Sequence, residues 1–222
     1  SIVKEFGSNF VLGDPEAPLV VEACEYQDHL LELSAKILVV TNLEWDHTDY
    51  FKTFEQLKQT FKTAIKKLPK DGVLVVNRKT EMGELLASYA SCRVVDYSNE
   101  EVPALRLLGA FNAENARAAL AAARAYGRVD LDSFTKALAR FSGTWRRFEY
   151  KGNTARGAEV YDDYAHHPTE VARTLGAVRE KFPGKKIIVA FHPHLYSRTR
   201  DLMGEFSAAF KGADHVLVAP IY

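Results

Sequence analysis

Two hydrophobic periods alternate along this chain. Short apolar runs predict strands at Leu19–Glu22, Ile37–Thr41, Gly72–Asn77, Arg93–Tyr97, Glu159–Asp162, Lys186–Phe191 and His215–Ala219. Between them Phe51, Phe54, Leu57, Phe61, Ile65 and Leu68 recur at helical spacing. So do Val171, Leu175, Val178 and Phe182, and then Leu202, Phe206 and Phe210. Alanine-rich Ala113–Ala125 has high helix propensity, ends at Gly127 and offers Asn112 as N-cap. Strand–helix alternation predicts an α/β fold with parallel sheets covered by helices. A helix over Leu131–Phe141 leads into Ser142-Gly143-Thr144, after which Trp145–Lys151 and Ala158–Tyr161 read as a hairpin-like pair. Residues 1–142 and 143–222 are therefore expected to be parts of two adjoining α/β domains.

Composition narrows the class. With 47% hydrophobic and 26% charged residues in 222, disorder, collagen and coiled coil are excluded. Apolar runs such as Ile187–Phe191 are far too short to span a membrane. The 29 basic and 29 acidic residues cancel, which argues against a general nucleic-acid binder. Cys24 and Cys92 make no disulfide framework, and Ser1–Phe10 lacks the apolar centre of a signal peptide, so the cytoplasm is the expected compartment. A first residue other than Met reads as a piece of a longer protein.

The candidate chemistry lies just beyond the predicted strands, where open α/β sheets bind ligands. Leu19–Val21 runs into Glu22-Ala23-Cys24-Glu25, and Ile37–Thr41 into Asn42-Leu43-Glu44-Trp45-Asp46-His47. Later strands lead to Asp162-Asp163-Tyr164-Ala165-His166-His167-Pro168 and to His192-Pro193-His194 with Arg198 and Arg200. Five of the seven histidines sit at three strand ends. A carboxylate and an imidazole at adjacent strand ends, Glu22 and His47, suit a divalent ion such as Mg²⁺ better than a structural pair, the alternative reading. Asp162 and Asp163 fit the cap of a helix starting near Pro168, which leaves one aspartate and two histidines over. Arg198 and Arg200 fall at an expected helix start, where cations oppose the macrodipole unless an anion binds there. Arg146-Arg147 suits a solvated strand face as well as a ligand, and capping alone accounts for Asn112 and Asn115.

Six stretches, in order, resemble the Mur ligases. They are Glu22-Ala-Cys-Glu25, Thr41-Asn-Leu-Glu-Trp-Asp-His47, Phe111-Asn-Ala-Glu-Asn115, Gly143-Thr-Trp-Arg-Arg-Phe148, Asp162-Asp-Tyr-Ala-His-His-Pro-Thr169 and His192-Pro-His-Leu-Tyr-Ser-Arg-Thr-Arg-Asp201. The last two are the most specific, and are most similar to members that add L-alanine to UDP-N-acetylmuramate. The resemblance implies the rear part of a central ATPase domain over 1–142 and the front part of a Rossmann-like C-terminal domain over 143–222. It implies an ATP- and Mg²⁺-dependent amide-forming ligase of peptidoglycan synthesis acting through an acyl phosphate. By resemblance, Glu22 and His47 would hold Mg²⁺, and Asn112 and Asn115 would contact adenine. Arg146 or Arg147, with Asp163, would reach the ATP phosphates and ribose. His166, His194 and Arg198 would face the muramoyl substrate and the incoming alanine. No Gly-x-x-x-x-Gly-Lys-Ser/Thr occurs, so the resemblance implies a fragment without its phosphate loop or N-terminal domain, inactive alone. A tripeptide-recycling ligase of the same sugar nucleotide and a non-catalytic nucleotide-binding fragment remain alternative readings.

Overall fold

The computed structural model describes residues 2–222, which form two compact units. One unit holds Val20–Leu105 and Ala110–Arg140; the other holds Phe141–Tyr222, Arg106–Gly109 and the stretch ending at Leu19. Among the described residues no helix is long and apolar enough to cross a membrane.

The first unit is built on a parallel sheet of β1 (Ile37–Val39), β2 (Val73–Val76) and β3 (Arg93–Asp96), in the order β1-β2-β3. β2 reads Val-Leu-Val-Val and is buried on both faces, as a central parallel strand must be. Leu74 and Val76 pack with residues of α1 (Phe54–Lys66) and α2 (Glu81–Ser88), including Leu57, Ile65 and Leu86. Val73 and Val75 pack with Tyr97 and with Ala118 and Ala121 of α3 (Ala110–Tyr126). Small alanines let α3 lie close on the sheet. Thr53 and Thr80 cap α1 and α2 by accepting from Gln56 N–H and Gly83 N–H. A Cβ on Gly83 would collide with the Asn77 carbonyl, so only glycine lets α2 start so close to the end of β2. α4 (Leu131–Arg140) packs on α3.

Two expectations are corrected here. Leu19–Glu22 forms no strand: Leu19 and Val20 are exposed, and among the described residues the run joins none of the sheets. Asn112 is not an N-cap: α3 begins at Ala110, after Gly109 in the left-handed region at φ 87°, and Asn112 lies inside the first turn. Helix α2 and the 3₁₀ segment Tyr26–Glu32 had no periodic signal strong enough to announce them.

In the second unit, β4 (Glu149–Asn153) and β5 (Glu159–Asp162) form an antiparallel hairpin with a bulge between Tyr150 and Gly152. The expected first strand over Trp145–Lys151 is displaced: Arg146 and Phe148 adopt positive φ, so Arg146-Arg147 lies in a turn before β4 rather than on a solvated strand face. α5 (Pro168–Lys181) starts at Pro168. Its cap is His167 rather than Asp162 or Asp163, with Glu170 completing a capping box. β6 (Ile188–Phe191) pairs in parallel with β7 (His215–Val218), and Phe191 packs against Phe206 of α7 (Met203–Ala209) and against Phe210. α6 (Tyr196–Asp201) starts just before Arg198, as expected, and has only six residues, so Arg198 belongs to its first and its last turn alike while Arg200 lies in the last, where a cation is favourable. In so short a helix the dipole is weak and gives Arg198 little preference either way.

Candidate functional site

Each unit carries candidate site residues, and each is taken by itself. In the first unit the loop leaving β1 carries His47, whose backbone is left-handed at φ 52°. Asp46 Oδ1 accepts the His47 backbone N–H at 2.7 Å, which holds this turn. The imidazole Nε2 lies 3.2 Å from Glu25 Oε1, and the Tyr26 ring lies 4.8 Å from the imidazole centroid. The hydrogen bond from His47 holds the Glu25 carboxyl below its ordinary range, against the opposing effect of burial. Glu22 is exposed, and the carboxylate that meets His47 is Glu25 instead. Tyr26 OH donates to Asp49 Oδ2 at 2.7 Å, while Tyr50 OH donates to Asp28 Oδ2 at 2.6 Å. Among the described residues no three His, Cys, Asp or Glu side chains gather as a ready metal cage. The donors present, the carboxylate oxygens and the His47 imidazole, are of the kind Mg²⁺ can take as its one or two protein ligands. Asn112 is half-buried and Asn115 exposed on α3, and their i,i+3 spacing puts them on one side of it.

In the second unit, Arg146 Nε contacts Asp162 Oδ2 at 3.0 Å and Arg147 lies 3.7 Å from Glu170 Oε1. Both guanidiniums lie over the Tyr164 ring, at 5.3 and 5.7 Å from its centroid. Asp163 is a clasp: Oδ2 accepts from Phe148 N–H at 2.7 Å and Oδ1 from Ala165 N–H at 2.9 Å. Glu170 Oε2 accepts the backbone N–H groups of His166 and His167, fixing the His-His-Pro entry to α5. His194 stacks on Tyr222 at 5.6 Å, and Arg198 donates to the His194 carbonyl at 3.1 Å. Arg198 is buried, with 2% of its surface exposed. Partial burial first, and then the charges of Arg198, His166 and His192, push the His194 pKa down. His194 is exposed as a residue, so the permanent charge of Arg198 beside it is the sounder cause.

Among the described residues the six non-glycine positive-φ positions are Gln27, Asp28, His47, Arg146, Phe148 and Leu195, each within or beside these clusters. Such strain concentrates at functional sites. Sequence reasoning assigned no role to Glu25, Tyr26, Tyr164 and Glu170. Glu25 sits in the same polar run as Glu22 with Tyr26 just after it, and Glu170 stands at the third helical position after a His-Pro start.

The sequence matches the Mur ligase middle domain over residues 14–106 and the Mur ligase glutamate ligase domain over residues 146–220. The chain belongs to the Mur ligase family. It is 37% identical to a UDP-N-acetylmuramate–L-alanine ligase of Caldicellulosiruptor bescii, over 100% of this chain and 54% of that protein. It is 40% identical to the ligase of the same name from an Arthrobacter species, over 99% of this chain and 52% of that one. The solved UDP-N-acetylmuramate–alanine ligase of Thermotoga maritima superposes with a TM-score of 0.64 at 25% identity, covering 86% of this chain and 47% of that one. The chain thus spans about half the length of the Mur ligases it matches.

Proposed function

We propose that these residues belong to an ATP-dependent ligase that forms the amide between L-alanine and UDP-N-acetylmuramate. The observation that carries the reading is identity of 37% and 40%, across essentially the whole chain, to ligases bearing that name. The reaction phosphorylates the muramoyl carboxylate from ATP, the alanine amine attacks the acyl phosphate, and phosphate leaves. Carboxylate and γ-phosphate are both anionic, so cations must hold them together.

Glu22 and His47 would hold Mg²⁺, which supplies charge neutralisation and orientation of the phosphates when bound. Arg146 and Arg147, steadied over Tyr164, would meet the ATP phosphates and ribose. Asp163 would serve them by holding the Phe148 and Ala165 amides and so shaping the turn. Asn112 and Asn115 would contact the adenine. Arg198 and His166 would face the carboxylates of the muramoyl group and of alanine. His194, kept toward its neutral form, can accept a proton from the alanine ammonium as it becomes a nucleophile.

The test is phosphate release from Mg-ATP by a full-length ligase containing these residues, given UDP-N-acetylmuramate and either L-alanine or a peptide acceptor. Release that depends on L-alanine is the expected result. Preference for a tripeptide acceptor would overturn the assignment. The 222-residue chain contains no phosphate-binding glycine loop and is expected to release no phosphate alone.

A further inference from the structure

We propose that Glu25 and Tyr26 are positioning residues for His47, fixing which ring nitrogen it presents to a divalent cation. The inference rests on the reading of His47 as a ligand of that cation. A neutral imidazole has one N–H and one lone pair. Nε2 faces Glu25 Oε1 at 3.2 Å, and a carboxylate can only accept, so Nε2 carries the proton and the lone pair resides on Nδ1. A carboxylate behind an imidazole also makes its other nitrogen a more basic ligand.

The ring is held on its face as well. Tyr26 lies 4.8 Å from the imidazole centroid at 36°. The tyrosine is pinned in turn: its hydroxyl donates to Asp49 at 2.7 Å, and the Tyr50 ring meets it edge-on at 5.9 Å. Tyr50 is anchored on Asp28 Oδ2, and Asp28 Oδ1 accepts from Thr60 on α1 at 2.5 Å. The chain of contacts thus runs from α1 to the imidazole. It sustains left-handed backbone at Gln27, Asp28 and His47, a conformation that non-glycine residues rarely adopt. Such strain persists only where the surroundings over-determine it, and here they converge on one imidazole.

The test uses the 222-residue chain with ¹⁵N-labelled histidine and Mn²⁺ as the probe. A hydrogen-bonded His47 Nε2–H resonance is expected in the parent chain and is lost in Glu25→Ala. The same variant weakens Mn²⁺ binding about 10–100-fold, the usual consequence of removing the partner behind a ligating histidine. Glu25→Gln, whose carbonyl still accepts, recovers part of both signals. Tyr26→Phe keeps the ring and loses the Asp49 bond, and weakens Mn²⁺ less than Glu25→Ala. A proton on Nδ1 in the parent chain, or unchanged Mn²⁺ affinity in a folded Glu25→Ala, overturns the inference. If Glu25→Ala does not fold, solvent exchange of the Nε2 proton in Glu25→Gln decides, and an unchanged rate counts against it. His47→Ala separates the two claims. Unchanged Mn²⁺ affinity there removes His47 as a ligand, whereas a loss there without one in Glu25→Ala removes only the positioning role.

Discussion

His47 and His194 occupy equivalent places, in loops that leave the carboxyl ends of parallel strands β1 and β6, yet their surroundings are opposite. His47 meets a carboxylate, with phenols and further carboxylates around it. His194 meets partial burial and the Arg198 guanidinium, which together favour the uncharged ring. Strand-end position gives an imidazole access to a ligand; its neighbours decide what charge it can carry there. One loop is therefore suited to a cation and the other to anions and to proton acceptance. The chain's zero net charge averages over this polarity and conceals it.

The supports beneath the two loops differ as well, and that gives the largest measurable contrast. Leu74 is wholly buried in β2, whereas Leu217 in β7 is 64% exposed. Leu74→Ala should cost about 3 kcal/mol in urea unfolding, and Leu217→Ala less than about 0.5 kcal/mol. Equal losses would erase the distinction between the two sheets. Next comes the arginine pair of α6. Arg198→Ala removes a buried, hydrogen-bonded side chain and should cost about 2 kcal/mol, while Arg200→Ala, exposed and paired with its neighbour Asp201, stays within about 0.5 kcal/mol. A smaller loss, about 1–2 kcal/mol, is expected for Asp163→Ala, which leaves the Phe148 and Ala165 amides without their acceptor. If its melting temperature matches that of the parent, the clasp is not holding the turn.

The smallest effect concerns pH. The folded pKa of His194 lies below the ordinary 6.5, so the unfolded chain binds its proton more readily. The stability linked to that difference is complete above pH 6.5 and declines as pH falls toward the folded value. His194→Gln should flatten the fall in melting temperature below pH 6.5; an unchanged slope would mean that burial and the Arg198 charge do not govern its titration.

Much of the scaffold was legible because burial imposes a period. Val73–Val76 is apolar at every position since both faces are covered, and Leu57, Ile65 and Leu68 mark one stripe of the first helical region. The same logic misread Leu19–Glu22, because an apolar run becomes a strand only if another strand accepts its hydrogen bonds. A helix start was misplaced at Asn112 because a good capping residue has meaning only relative to a known boundary. At the candidate sites, residue types clustered at strand ends in the sequence, but pairings did not. Nothing in spacing alone distinguishes Glu25 from Glu22 as the partner of His47; the left-handed turn through Gln27 and Asp28 decides it.

Tyr97 has a consequence for motion. It is almost fully buried at the end of β3, and its hydroxyl reaches the Thr41 carbonyl at 3.0 Å, on the segment that continues β1 toward His47. Because β2 lies between those strands, this bond ties the two outer strands together across the middle one. Fluctuations that free the base of the His47 loop must therefore loosen the far strand too. Amide hydrogens such as that of Val40, which bonds the Val75 carbonyl, should exchange with solvent at rates near those of global unfolding, while amides farther along the loop exchange sooner.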